Sequence, residues 1–255
     1  MTEWLGLLHA IADAGDAIAL EHFGRHDLRV ETKADDSPVT VADRAIEDAA
    51  RHLIRVRHPN LGVLGEEAGD TTGAQTTRLI VDPIDGTRNY VRGIPVFATL
   101  LAIEEDGNVV AGVVSAPALR SRWHATRGGG AFCGERRLHV SQTTELGAAT
   151  MFHGSIGGPS EVTPPPGFFD LAAQVQRTRG FGDFYQHVLV AAGAGEIAVD
   201  PALKPWDIGP LLLLVEEAGG RATSLGGERT LYGGSLVTSN GPLHESVLVG
   251  LAGRT

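Results

Sequence analysis

Cysteine is almost absent from this sequence of 255 residues, because Cys133 is the only one. A single cysteine cannot form a disulfide within the chain, so the sequence predicts a reducing compartment, the cytoplasm. One cysteine and ten scattered histidines also provide no pair with the spacing of a zinc site. Disulfide-stabilised and zinc-dependent classes of protein are therefore disfavoured.

Positive charge and long apolar runs are scarce as well. The formal net charge is −10, which would repel the phosphates of a nucleic acid. The longest strongly apolar run, residues 211–215, is far too short to cross a bilayer. The first residues include Glu3 and lack a basic start, so they do not resemble a signal peptide. We expect a soluble protein with neither nucleic acid nor a membrane as a partner.

Two common catalytic motifs are missing. The sequence contains no Gly-x-Ser-x-Gly elbow, which argues against a serine hydrolase. The triplet Gly128-Gly129-Gly130 is not followed by Lys-Ser/Thr, so it predicts a tight turn rather than a phosphate-binding loop.

Helical and strand periodicities alternate along the chain, which predicts a mixed α and β architecture. Helices are predicted at 3–23, 168–176, 184–192, 206–218 and 242–251, and one more is capped by Thr40 and stops near His58. Strands are predicted at 61–64, 79–82, 96–103, 109–115, 122–126, 138–140, 151–155, 196–199, 221–224 and 236–239, and loops at 29–39, 70–77 and 157–167. The pattern changes near residue 145, which predicts an α+β half at 1–145 and an α/β half at 146–255.

One stretch combines a predicted strand with acidic turn residues, Leu79-Ile80-Val81-Asp82-Pro83-Ile84-Asp85-Gly86-Thr87. A strand that ends in carboxylates presents charge at the rim of a sheet, where ligands bind in open α/β sheets. Pro83 stiffens the turn, so two carboxylates and the Ile84 carbonyl suit a hard cation. Gly86 and Thr87 open a predicted helix whose free N–H groups would hold an anion. The alternative is a plain Asx-Pro turn between a strand and a helix.

Acidic residues also stand at the ends of other predicted elements, and together they form the set Glu66, Asp82, Asp85 and Asp207. Carboxylates that meet in space repel one another unless divalent cations neutralise them, and Mg²⁺ suits carboxylates and phosphate oxygens. Two such ions can polarise a phosphate and activate a water. Asp207 has an alternative role as an acid at a helix N-terminus, and Asp43 has one as a capping residue. Glu66 and Glu67 would point to opposite faces of a strand.

Several separated motifs resemble those of the inositol monophosphatase family of Mg²⁺-dependent, lithium-sensitive phosphatases. They are Val39-Thr40-Val41-Ala42-Asp43, Gly65-Glu66-Glu67, Asp82-Pro83-Ile84-Asp85-Gly86-Thr87, Trp206-Asp207 and Ala218-Gly219-Gly220. The resemblance covers nearly the whole chain and implies a layered α-β-α-β-α sandwich, two or three Mg²⁺ ions and a homodimer. One departure is Gly209-Pro210 after the Trp-Asp pair, with Pro210 expected in the first helical turn.

The resemblance also implies roles for individual residues. The implied metal ligands are Glu66, Asp82, the Ile84 carbonyl, Asp85 and Asp207. Glu66 with Thr87 would orient and help to deprotonate the attacking water, and Asp43 would polarise the Thr87 hydroxyl. The Gly86 and Thr87 amides would hold the phosphate, with Lys33 and Glu67 in supporting positions. Most metal ligands would thus lie in the N-terminal half, and Asp207 and substrate contacts in the C-terminal half, as one catalytic unit.

Two further segments resemble the branch of this family that hydrolyses histidinol phosphate, Asn89-Tyr90-Val91-Arg92-Gly93-Ile94-Pro95 and Gly180-Phe181-Gly182-Asp183-Phe184-Tyr185. Histidinol phosphate carries an ammonium and an imidazole, so carboxylates would anchor it, and Asp183 and Asp200 are the candidates. Asp183 has an alternative role as the N-cap of a helix that begins at Phe184. Asp200 would equally accept inositol hydroxyls, and Arg92 would face either the phosphate or the solvent.

The leading hypothesis is therefore a Mg²⁺-dependent phosphatase of L-histidinol phosphate. Inositol 1-phosphate and fructose 1,6-bisphosphate are the alternative substrates for the same mechanism. A haloacid-dehalogenase type of phosphatase, with an aspartate nucleophile near the N-terminus, is disfavoured because Asp82 and Asp85 are three residues apart and lie well into the chain. A non-catalytic ligand-binding protein is the remaining alternative.

Overall fold

The computed structural model describes residues 2–33, 37–71, 76–156 and 163–253. Seven α-helices lie in these described ranges: α1 Thr2–His22, α2 Val41–Arg57, α3 Thr87–Val91, α4 Phe168–Ala172, α5 Asp183–Ala191, α6 Pro205–Glu217 and α7 His244–Ala252. The same ranges contain fifteen strands: β1 Val30–Thr32, β2 Pro38–Thr40, β3 Gly62–Gly65, β4 Gly69–Thr71, β5 Arg78–Asp85, β6 Ala98–Glu105, β7 Asn108–Ala116, β8 Ser121–Thr126, β9 Gly130–Cys133, β10 Arg136–Arg137, β11 Thr150–His153, β12 Arg177–Gly180, β13 Ile197–Asp200, β14 Arg221–Thr223 and β15 Leu236–Ser239.

An eight-stranded sheet forms the larger β layer, in the order β10-β9-β8-β7-β6-β5-β3-β4. Neighbouring strands within this sheet run antiparallel, except for β3 and β5, which run parallel to each other. Side chains alternate along β5, so Leu79 and Val81 lie on one face of the sheet and Ile80 on the other. The first face packs against Leu8 of α1 and Ile54 of α2. The apolar periodicity predicted for these two helices therefore forms their contact with the sheet.

Helix α6 lies between this sheet and a second, five-stranded sheet of order β12-β11-β13-β15-β14. All side chains from Ile208 to Val215 are buried, because both sides of the helix face a sheet. The outer face of the second sheet carries Met151 and Val237, which pack against α4 and α7. The layers are thus α-β-α-β-α, and the predicted sandwich is confirmed.

Pro210 lies in the second turn of α6 rather than in the first, since it is the sixth residue of a helix that begins at Pro205. A proline in the second turn removes one intrahelical hydrogen bond. Pro210 packs closely against Gly112 of β7, because a Cβ added to Gly112 would be 3.0 Å from the Pro210 Cα. The expectation of a first-turn proline was wrong, and glycine in the facing strand makes the close packing possible.

Several predicted elements and boundaries were wrong. The loop predicted at 29–39 contains β1 and β2, an antiparallel pair, and all three side chains of β1 are exposed, so no apolar alternation marked it. Residues 138–140 form no strand, because the N–H groups of Leu138 and Val140 bond to the Ala131 and Ala218 carbonyls in different parts of the fold. The helix predicted at 168–176 ends at Ala172. Strands β4, β9, β10 and β12 were not predicted.

Parts of three predicted loops lie outside the described residues, namely residues 34–36, 72–75 and 157–162. In the part of the chain that the structure describes, no helix has the length and apolar character needed to cross a membrane. The chain passes from the eight-stranded sheet to the five-stranded sheet near residue 145. The division of the chain into two halves of one catalytic unit stays a prediction.

Candidate active site

The end of β5, the turn after β3 and the starts of α3, α5 and α6 surround a cavity of about 900 Å³. Five acidic side chains that the sequence analysis selected line this cavity: Glu66, Asp85, Asp183, Asp200 and Asp207. Asp82 lies beneath them and is almost fully buried. Residues that are scattered through the sequence are thus brought to one place.

Asp82, Asp85 and Asp207 form the centre of the site, and we call them the acidic cluster. Each contributes a carboxylate oxygen, and these oxygens lie within 4.8 Å of one another. Residues three apart in a regular strand point to opposite faces, but the pairing of β5 with β6 shifts between Asp82 and Asp85. The Thr99 hydroxyl donates to the Pro83 carbonyl at 2.8 Å and secures this irregularity. The bulge therefore turns both carboxylates toward the same cavity.

The acidic cluster has the electrostatic properties of a site for a hard divalent cation. Burial, and after it the charge of Glu66, raises the pKa of Asp82 well above its usual range. Burial also raises the pKa of Asp207 to about 7, although the hydrogen bond from the Lys204 N–H lowers it, and the charge of Glu66 adds to the rise. Burial and the charge of Asp183 likewise raise the pKa of Asp85. Asp82 Oδ1 is buried and has no hydrogen-bond partner among the described residues. A cation would supply that partner and relieve the repulsion, so these residues fit such an ion.

Two members of the acidic cluster also cap helices. Asp207 lies in the first turn of α6, as expected of an acid at a helix N-terminus, and it accepts the Lys204 backbone N–H at 2.7 Å. Asp85 accepts the Phe184 N–H at 2.6 Å, at the start of α5. Each carboxylate is therefore oriented by a backbone N–H, and the same carboxylates reach the cavity.

Asp43 likewise serves at two places. Its Oδ2 accepts the Thr40 N–H at 2.8 Å and the Thr40 hydroxyl at 2.6 Å, which completes the predicted capping box of α2. Its Oδ1 lies 3.3 Å from the Thr87 hydroxyl, which donates to the Ile84 carbonyl at 2.8 Å. Burial raises the pKa of Asp43. The Ile84 carbonyl keeps a second lone pair for a further ligand.

Glu66 and Glu67 point to the same partner, which contradicts the expectation of opposite faces. Lys33 Nζ lies 2.7 Å from Glu66 Oε1 and 2.6 Å from Glu67 Oε1. The two glutamates belong to the turn after β3 rather than to a strand, so strand alternation does not apply. Burial would lower the pKa of Lys33, but the two carboxylates outweigh it and raise that pKa. Burial raises the pKa of Glu67.

Asp183 does not cap a helix, so that alternative was wrong. It is the first residue of α5, has a positive φ of 50°, and accepts the Asn89 side-chain amide at 2.8 Å. Burial and the charge of Asp200 raise the pKa of Asp183 to about 7. Its carboxylate lines the cavity, while Asp85 takes over the capping of α5.

Asp200 is held from behind by two fully buried side chains of α5. His187 Nε2 lies 3.1 Å from Asp200 Oδ2, and the Gln186 amide donates to the same oxygen. His187 Nδ1 lies 2.8 Å from the Thr238 hydroxyl. Asp200 is thus oriented at the wall of the cavity.

The start of α3 is closely packed, and the helix itself is short. Gly86 has a φ of 80°, and a Cβ added there would lie 2.9 Å from the Val96 carbonyl oxygen, so glycine is required. The helix has only five residues, so the individual N–H groups of Gly86 and Thr87, rather than a large dipole, are what an anion would meet. Arg92 is exposed and lines a neighbouring groove instead of the cavity, whereas Arg88 lines both.

Sequence reasoning assigned no role to Asn89, which binds Asp183, and overlooked Glu47 and Arg51 of α2. Glu47 and Arg51 follow Asp43 at intervals of four residues and are buried with it on one face of the helix. Charged residues at helical spacing among buried apolar positions were the available signal.

The chain belongs to the inositol monophosphatase family, whose sequence model matches residues 1–252. It is 47% identical over 252 residues to the Histidinol-phosphatase of Mycobacterium tuberculosis, with 97% of each chain covered. It is 44% identical over 254 residues to the Histidinol-phosphatase of Streptomyces coelicolor, covering 96% of this chain and 95% of that one. The resemblance to this branch of the family is therefore confirmed.

Solved structures support the same assignment of the fold. The extragenic suppressor protein suhB of Bartonella henselae superposes with a TM-score of 0.91 at 29% identity, covering 98% of both chains. An IMPase of Thermotoga maritima superposes with a TM-score of 0.88 at 31% identity, covering 98% of this chain and 96% of that one.

Proposed function

We propose that the protein is a Mg²⁺-dependent phosphomonoesterase that hydrolyses L-histidinol phosphate to L-histidinol and phosphate, a step of histidine biosynthesis. The choice of substrate rests on the pair Asp183 and Asp200, which line the same cavity as the acidic cluster. The cluster accounts for binding of the phosphate through cations, and the additional carboxylates suit an ammonium or an imidazolium. The similarity to proteins named Histidinol-phosphatase supports this choice.

The metal site would contain two or three Mg²⁺ ions, held by Glu66, Asp82, the Ile84 carbonyl, Asp85 and Asp207. These ions would polarise the phosphate and lower the pKa of a bound water when present. Glu66 lines the cavity and would accept a proton from the attacking water. Lys33, paired with Glu66 and Glu67, would hold these two carboxylates in place.

Thr87 would orient the attacking water. Its single hydroxyl hydrogen is directed to the Ile84 carbonyl and to Asp43, so its oxygen is left as an acceptor. A water that donates to this oxygen has its lone pairs free to attack phosphorus. Hydrolysis then breaks the ester P–O bond, adds the water oxygen to phosphorus and returns a proton to the leaving alkoxide. The Gly86 and Thr87 amides would hold the phosphate, and Arg92 would remain outside this contact.

The deciding experiment measures phosphate release with Mg²⁺ on L-histidinol phosphate, inositol 1-phosphate and fructose 1,6-bisphosphate, each with and without lithium. We expect the highest kcat/KM on histidinol phosphate and inhibition by lithium. A preference for either other ester would keep the metal mechanism and overturn the assigned roles of Asp183 and Asp200. Binding of Mg²⁺ without release from any ester would favour a non-catalytic binding protein. A trapped phospho-aspartate would instead favour the haloacid-dehalogenase type of mechanism.

We further propose that the protein acts as a homodimer in the cytoplasm. The family resemblance supports the dimer, and the single cysteine supports a reducing compartment. Light scattering of the purified protein would test the dimer, and a mass of 26.8 kDa would contradict it.

A further inference from the structure

Helix α2 buries three charged side chains in a row on the face that packs into the protein. Asp43, Glu47 and Arg51 are 0%, 1% and 8% exposed and lie at successive intervals of four residues. Buried charges are costly unless each one is paired and hydrogen-bonded. Asp43 meets its partners at Thr40 and Thr87, so the other two charges require an explanation of their own.

Glu47 binds the backbone of the turn that joins β3 to β4. Its Oε2 accepts the Glu67 N–H at 2.7 Å, and its Oε1 accepts the Ala68 N–H at 3.1 Å. The strand before the turn lies directly against this carboxylate, because a Cβ added to Gly65 would be only 2.2 Å from Glu47 Oε1. The turn is therefore seated on the carboxylate, and glycine is required at position 65.

Arg51 secures the other end of the same turn. Its guanidinium donates to the Gly69 carbonyl at 2.6 Å and to the Thr71 hydroxyl at 2.9 Å. It also donates to Glu47 Oε1 from Nε at 2.8 Å, so the two buried charges neutralise each other. The ion pair of Glu47 and Arg51 thus binds both N–H and C=O groups of the turn between β3 and β4.

The turn held in this way presents Glu66 to the acidic cluster. The Glu66 N–H donates to the Val81 carbonyl at 3.2 Å, which places it beside Asp82 at the end of β5. On its other side, the Glu67 and Ala68 amides are fixed by Glu47. The backbone of Glu66 is therefore held by hydrogen bonds on both sides, and one side depends on Glu47.

We propose that Glu47, charge-paired with Arg51, is a positioning residue that fixes Glu66 and thereby sets the affinity of the acidic cluster for divalent cations. This inference rests on the proposed function in one respect, that Glu66 is a metal ligand. It is independent of which phosphate ester is hydrolysed. Residue 47 must be a carboxylate, because both of its oxygens accept hydrogen bonds. The side-chain amide of a glutamine would place its NH₂ group, a donor, against the donors of either the turn N–H groups or the guanidinium.

The test compares Glu47→Gln with the wild-type protein by isothermal titration of Mn²⁺ and Mg²⁺, without substrate. We expect the dissociation constant to rise by about 10- to 100-fold, as for other residues that orient metal ligands. The matched control is Glu196→Gln. Glu196 is also buried and accepts a backbone N–H, that of Thr150 at 2.6 Å, but it stands before β13 at the end remote from Asp200. The control should lose Tm without losing metal affinity.

Unchanged metal affinity in Glu47→Gln, or an equal loss in Glu196→Gln, would overturn the inference. Arg51→Lys provides a second variant if Glu47→Gln does not fold, since it keeps the charge but not the forked contacts, and a smaller loss of affinity is expected. Wild-type protein that binds neither cation would overturn the metal site itself. Tight binding by the wild type without hydrolysis of histidinol phosphate would contradict only the proposed substrate.

Discussion

Asp207→Asn should stabilise the metal-free protein while it abolishes metal binding. The carboxylate lies against Asp82 and Asp85 with no cation to neutralise the cluster in a chelated sample, so its charge is unfavourable. Asparagine has nearly the same shape and keeps an oxygen that can accept the Lys204 N–H, so the cap of α6 survives. The substitution therefore removes the repulsion and little else.

The magnitude follows from the pKa of Asp207, which burial and the charge of Glu66 raise from 3.8 to about 7. Each pKa unit corresponds to about 1.4 kcal/mol, which sets an upper bound of about 4 kcal/mol. Asp207 is half-buried and borders the cavity, so screening by water reduces the expected gain to about 1–3 kcal/mol.

The sign of the pH dependence follows from proton linkage. The folded protein holds the Asp207 proton up to about pH 7, whereas the unfolded chain loses it near 3.8. Stability of the wild type therefore falls as the pH rises through this window, and the penalty is complete above it. We expect Asp207→Asn to be more stable than the wild type at pH 8 and equal to it at pH 4.

Urea unfolding in EDTA, followed by circular dichroism at both pH values, measures this difference. Addition of Mg²⁺ at 100 times its dissociation constant should stabilise the wild type by about 2.7 kcal/mol and leave the variant unchanged. A variant that is less stable than the wild type at pH 8 in EDTA would refute the reasoning, because it would show that the charge of Asp207 is net stabilising.

Three further predictions concern catalysis and stability. Asp85→Asn should lower kcat by more than about 100-fold with the fold retained by circular dichroism, because a charge of the acidic cluster is lost; near-normal turnover would contradict its assignment as a ligand. Asp183→Asn should raise KM for histidinol phosphate by about 10-fold or more and for inositol 1-phosphate far less, because a charge-assisted hydrogen bond is lost; equal effects would argue against its role as an anchor. Buried His244, which lies 2.9 Å from Thr223 Oγ1 and 2.8 Å from Ser239 Oγ, has its pKa lowered to about 4 by burial. As the pH falls, the unfolded chain binds the proton before the folded protein does, so the free energy of unfolding should drop by about 3 kcal/mol between pH 6.5 and pH 4. In His244→Gln, the urea concentration at the unfolding midpoint should depend less on pH over that range.

Local sequence patterns determined much of the fold and the centre of the site. The 3.6-residue periodicity of α1 and α2 and the apolar run of α6 reflect burial that each helix must achieve in any fold. The capping box at Thr40 involves residues only three apart, so its geometry is encoded locally, and Asp82 and Asp85 flank Pro83 and Ile84 in one short segment. The positions of the metal-ligand candidates could therefore be read without coordinates.

Contacts between distant parts of the chain were decided only by the tertiary structure. Asp85 and Phe184 are 99 residues apart, and their hydrogen bond, which caps α5 where the sequence predicted Asp183, exists because α5 packs beside the end of β5. Lys33 meets both Glu66 and Glu67 because they occupy a turn that the remote Glu47 holds. Helical and strand periodicities specify which face of an element is buried, but not which other element covers it. The partners of buried charges depend on that choice, which is made by the packing of two sheets around α6.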